Sequence, residues 1–69
     1  MKFLITALRD VSVLADGRGF RLVRGQQVEI NSLQKVFCHG AAAFRIPQMP
    51  QKQGEQCEVA DALLVIRIQ

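Results

Sequence analysis

From Lys2 to Leu14 the chain alternates: Phe3, Ile5, Ala7, Val11 and Val13 fall on one side of an extended strand, and Thr6, Asp10 and Ser12 on the other. Arg9 is the one breach of the apolar side, which predicts a bend or bulge near Arg9-Asp10 that splits the run into two strands. Asp16-Gly17 follows, between two alternating runs. A tight primed turn needs positive φ, which Gly supplies without strain, so Val11 to Leu14 is expected to pair antiparallel with Phe20 to Val23. Arg24-Gly25-Gln26-Gln27 reads as a second turn, and Val28-Glu29-Ile30 as a short strand.

The pattern then changes period. Asn31 is a good helix N-cap, Gln34 three residues on completes a capping box, and Leu33, Val36 and Phe37 recur at i, i+3 and i+4. Gly40 stands where a left-handed C′ residue ends a helix. One short helix near residues 32–39 is therefore predicted, followed by a strand through Ala41-Ala42-Ala43-Phe44-Arg45-Ile46 that Pro47 closes. Residues 48–57 read as a mobile Gln-rich surface loop.

Val59 to Ile68 is the second major apolar element. Leu64, Ile66 and Ile68 line one face, with Ala60 and Ala62, and Leu63 and Val65 line the other, so the strand is apolar on both faces. Such a strand needs cover on both. Either a curled barrel supplies it or another subunit does, which makes Leu63, Leu64, Val65, Ile66 and Ile68 the candidate protein-interaction residues. Lys2 to Leu8 and Leu63 to Ile68 are both strand-like and are candidates to pair with each other; left unpaired, one of them is an edge open to strand addition. The expected fold is a single domain, residues 1–69, mainly β (α+β): a small antiparallel sheet or SH3-like partly open barrel of about five strands with one short helix.

Composition adds limits. At 69 residues one core is only marginally sufficient, and association often supplies the remainder. Hydrophobic residues at 49% and charged ones at 22% fit a folding domain and exclude compositional disorder. With no Trp or Tyr and four Phe, an interface must draw on aliphatic side chains, Arg or backbone pairing. The six-residue run Phe3 to Leu8, apolar but for Thr6, meets Arg9 and Asp10, too short for a signal peptide, and no stretch approaches the roughly 18 apolar residues of a membrane span. A soluble protein of the cytoplasm, or of something assembled there, is expected.

Net charge is +3, but the basic residues are spaced singly and form no run. Arg18, Arg21 and Arg24 cluster loosely around the hairpin and, with Lys35, are the candidates for contact with phosphate or an acidic partner. Gly17-Arg18-Gly19 is not read as a phosphate loop, because a strand pattern and not a helix follows it. Cys38-His39 is the one pair with catalytic colour. Neighbours on a helix point about 100° apart, which leaves His39 badly placed to activate Cys38. Adding Cys57 gives three possible zinc ligands without a recognisable spacing or a fourth member. Two thiols are expected in place of a bridge. No enzyme, metal, cofactor, small-molecule substrate or membrane partner is predicted.

Asp16-Gly17, then Gly25-Gln26-Gln27-Val28-Glu29-Ile30, then a short capped helix and Gly40-Ala41-Ala42, resemble small accessory proteins encoded among tailed-bacteriophage and prophage structural genes. The resemblance spans Lys2 to Ile46. It implies a non-enzymatic virion component, capsid-associated or at the head-tail or tail, assembled in the bacterial host cytoplasm and docking on itself or on other virion proteins through strand edges and aliphatic surface. The alternative function is a small basic nucleic-acid-binding regulator using Arg18, Arg21, Arg24 and Lys35.

Overall fold

The computed structural model describes residues 1–37 and 49–69, with the backbone alone for 44–45, and every structural statement below refers to those residues. The alternating N-terminal run forms β1 (Phe3–Ala7) and β2 (Val11–Ala15), broken at residues 8–10 as the breach at Arg9 predicts. The break does more than bend a strand, because it carries the chain from one sheet to another. β3 (Arg18–Leu22) returns antiparallel to β2, with Val11 opposite Leu22 and Ala15 opposite Arg18. Asp16 and Gly17 between them have φ of 52° and 75°, the primed turn expected of Asp-Gly.

β4 (Gln27–Ile30), β5 (Leu33–Phe37), β6 (Phe44–Arg45), β7 (Gln56–Val59) and β8 (Leu63–Arg67) complete two four-stranded antiparallel sheets. Sheet I has the order β4-β1-β8-β7 and sheet II the order β3-β2-β5-β6. β1 and β8 do pair, Phe3 opposite Arg67 and Ala7 opposite Leu63, and each has a second neighbour, so neither is an edge. The mainly β expectation holds. The predicted helix does not: the described residues contain two antiparallel sheets, no helix and no closed barrel.

The predicted helix near residues 32–39 is corrected to β5, and the register shows why the pattern misleads. Ala15 pairs with Leu33 but Leu14 with Lys35, so Gln34 is an extra residue, a β-bulge, in β5. The bulge shifts the side-chain alternation by one position. Leu33 and Val36 therefore both point into the core while Gln34, Lys35 and Phe37 face out, which mimics an i, i+3 helical spacing. Cys38, His39 and Gly40 lie outside the described residues.

The presumed caps serve a corner instead. The chain passes from β4 to β5, and from sheet I to sheet II, at Asn31-Ser32. Both backbone N–H groups there donate to the Asp16 carboxylate, at 3.1 Å and 2.7 Å, and Asp16 N–H donates back to the Ser32 carbonyl at 3.0 Å. Gln34 Nε2 donates to Ser32 Oγ at 2.8 Å. The hairpin tip thus clamps the corner. Hydrogen bonds from Asn31 N–H and then Ser32 N–H hold the Asp16 carboxyl below the usual carboxylate range.

A depressed folded-state pKa contributes stability that is complete above the unfolded value, about 3.9, and is lost as pH falls through the folded value. Asp16→Ala is expected to lower the thermal midpoint at pH 7, and its deficit relative to the parent is expected to shrink progressively as pH falls below about 3.9. A deficit that stays constant throughout the acid titration, measured by circular dichroism, would show that the carboxylate is not the cause.

β7 and β8 form a hairpin that divides the apolar run after Val59. Ala60 and Asp61 both have φ of 53°, and Ala62 N–H donates to the Val59 carbonyl at 3.0 Å. Asp61 tolerates the left-handed region but Ala60 does not favour it and no Gly accompanies them, so the sequence marks this turn only weakly. Within residues 48–57, Gln56 and Cys57 belong to β7. The segment before them is tied to the end of β8: Gly54 N–H donates to the Arg67 carbonyl at 2.8 Å, Arg67 N–H to the Glu55 carbonyl at 3.0 Å, and the Arg67 guanidinium to the Gln51 carbonyl.

The core lies between the sheets. Phe3, Ile5, Leu63 and Val65 of sheet I meet Val13, Leu22, Leu33 and Val36 of sheet II, and no buried polar side chain is left without a partner among the described residues. Full burial of each such residue contributes about 1.5–3 kcal/mol, partly offset by lost conformational entropy.

Candidate functional site on the outer sheet faces

With one face of each sheet in the core, the outer faces carry the accessible side chains. On sheet I, Leu4 of β1 lies opposite Ile66 of β8, and Thr6 opposite Leu64. Leu4, Leu64 and Ile66 are all partly exposed, as is Ile68 one residue past β8. Polar residues border this aliphatic stripe on both flanks. On the β4 side, Gln27 Nε2 donates to Thr6 Oγ1 at 3.1 Å, and Glu29 approaches Lys2 Nζ at 3.7 Å. On the β7 side, Gln56 lies opposite Ile66 and Glu58 opposite Leu64.

The five candidate interaction residues therefore separate by parity. Leu63 and Val65 are wholly buried against sheet II. Leu64, Ile66 and Ile68 remain on the outside. The sequence pattern shows both faces as apolar but holds nothing that says which one sheet II will cover.

The four candidate basic residues separate too. Arg18 sits at the hairpin end of β3 with its guanidinium over the Phe20 ring, 5.7 Å from the centroid. Arg24 is past the other end of β3, where its backbone N–H donates to Asp10 Oδ1 at 3.2 Å. Arg21 and Lys35 share the outer face of sheet II, since Arg21 lies opposite Ser12 and Lys35 opposite Leu14, the two outward residues of β2. Phe37 also lies opposite Ser12 and is 39% exposed. It escapes the sequence reading because a helical period assigns it to the apolar side.

Ser12, Leu14, Gly19, Phe20, Arg21 and Phe37 border an open groove of about 350 Å³ on this face. A second hollow, about 410 Å³, lies beside the Gln-rich segment between Met49, Lys52, Glu55 and Cys57. Burial pushes the Cys57 thiol up from its ordinary value, so at neutral pH it is protonated and a poor nucleophile. No group of three or more His, Cys, Asp or Glu able to hold a metal occurs among the described residues, and no described helix is long and apolar enough to cross a membrane.

No protein-family model, curated protein or solved structure matches the chain.

Proposed function

We propose that this protein is a non-enzymatic structural or interaction module that docks through the aliphatic outer face of sheet I. The observation that carries the reading is the stripe of Leu4, Leu64 and Ile66, which spans the two inner strands of a sheet and is bordered by polar residues on both sides. An apolar centre within a polar rim is the layout of an interface between proteins. A second copy of the chain, or another protein of a larger assembly, is the partner.

Assembly with virion proteins of a tailed bacteriophage is the most specific form of this proposal. It rests on the resemblance of Asp16-Gly17 and Gly25 to Ile30 to accessory proteins of that group. Part of that resemblance falls away, because the segment read as a capped helix is strand β5. Backbone docking, if it contributes, falls to β3, β4, β6 and β7, the edge strands.

Sedimentation velocity over a wide concentration range, with co-purification from a native source, tests the reading. Association is expected, and Ile66→Lys is expected to weaken it at least tenfold while the variant keeps the far-ultraviolet spectrum of the parent, because a charge placed in a desolvated interface must be stripped of water. A parent protein that stays monomeric at every concentration and brings no partner would refute it. So would association that Ile66→Lys leaves unchanged.

A further inference from the structure

The groove on sheet II stands apart from the docking face on sheet I in both charge and chemistry. The four strands of sheet II carry Arg18, Arg21, Lys35 and Arg45 and not one carboxylate, whereas the strand carboxylates, Glu29 and Glu58, are both on sheet I. At the margins of sheet II, Asp10 and Asp16 keep their negative charge while accepting backbone N–H groups, and Asp16 interacts with the Arg18 charge. Across the rows that hold Arg21 and Lys35 the partners are Ser12, Phe37, Leu14 and Gly19, none of them acidic, so an anionic ligand meets net positive charge there.

The row Phe37, Ser12, Arg21 runs straight across β5, β2 and β3. At about 4.8 Å between strands, the Phe37 and Arg21 backbones are about 10 Å apart. Ser12 between them is small, and in the next row Gly19 presents no side chain; a Cβ built there meets nothing within 4 Å. The groove is open, has an exposed aromatic ring at one side and cations at its rim. A bare phosphate or lipid headgroup would use the cations but not the ring, whereas a nucleobase uses the ring through its flat face. In a duplex that flat face is hidden by stacking, and in a single strand it is free.

We propose that the outer face of sheet II binds single-stranded nucleic acid, one base stacking on Phe37 while Arg21 and Lys35 meet the adjacent phosphates. The row of Phe37, Ser12 and Arg21 does not include Arg18, which lies over the Phe20 ring at the hairpin end of β3 and interacts with the Asp16 carboxylate, or Arg24, which lies beyond the far end of β3.

Fluorescence anisotropy of the full chain with labelled single-stranded and duplex oligonucleotides at low salt tests it. Single strands are expected to bind more tightly than duplex or anionic vesicles. Phe37→Leu, which keeps an apolar side chain but removes the ring, is expected to weaken binding by about 5- to 150-fold, and Phe37→Trp to preserve it. Arg21→Gln and Lys35→Gln should each reduce the slope of log affinity against log salt by about 0.7, while Phe37→Leu leaves that slope alone. Circular dichroism of each variant separates loss of binding from loss of fold. Equal or tighter binding of duplex or vesicles, no binding at low salt, or a folded Phe37→Leu variant with parental affinity would overturn the proposal.

Discussion

Leu63→Ala is expected to destabilise the protein by about 3 kcal/mol and Leu64→Ala by about 1 kcal/mol or less. The two residues are chemically identical neighbours on β8, and the difference comes from parity alone. Leu63 is fully buried between the sheets, opposite Val59 on one side and Ala7 on the other. Its truncation removes transfer energy and leaves a cavity whose walls are strands held by backbone ladders and unable to collapse fully. Leu64 looks outward and is already partly hydrated. A chain of 69 residues has about 3–10 kcal/mol of total stability, so Leu63→Ala removes a large share. Urea unfolding followed by circular dichroism measures both. Equal losses would mean that both faces of β8 are covered in the isolated protein, or that neither is.

Deleting Ser12 is expected to cost about 2–3 kcal/mol and deleting Gln34 less than about 1 kcal/mol, although both residues are polar and outward. β2 alternates without interruption, so loss of Ser12 puts Val11 and Val13 side by side, and the one-residue slip turns one of them out of the core. In β5, Gln34 is the extra residue of the bulge. Its loss leaves Leu33 and Val36 two positions apart, and regular alternation, with Lys35 still opposite Leu14, keeps both inward. Chemical denaturation of the two variants measures both effects. A Gln34 deletion as costly as that of Ser12 would remove the bulge from the account of β5.

These two sites also mark what the sequence makes legible. Local signals succeed where the geometry is local: Asp16-Gly17 specifies its hairpin, Gly25 with φ of 90° its turn, and the breach at Arg9 the break between β1 and β2. The C-terminal apolar run is recognised as strand, and its pairing with β1 is among the arrangements that the pattern allows. Failure comes where a tertiary feature changes the local period. The bulge at Gln34 gives a strand the spacing of a helix, and Asn31 supports that misreading because residues that cap helices also suit corners. Ala60-Asp61 turns without a Gly, and of the two only Asp61 is a type that visits the left-handed region, so the signal is weak.

For the candidate surfaces the limit is different. Arg18, Arg21 and Arg24 are close along the chain, but strand alternation and the length of β3 disperse them. Lys35 and Phe37 join Arg21 only through the pairing of β2 with both β3 and β5. Such a site is assembled sideways across strands, and no window along the sequence contains it.

Sheet II uses only segments from Val11 to Arg45, each paired with a strand nearby in the chain. Sheet I has the opposite construction, for its two inner strands, β1 and β8, are separated by residues 8–62. Closing that loop is entropically costly, and it is offset only once several long-range pairs form together. The order of events in folding follows from this layout: the basic sheet can gather first, and the sheet bearing the aliphatic face is completed last. Until β8 arrives, β1 has an open flank beside it, so the interval before the final pairing is when this chain is most exposed to pairing with another.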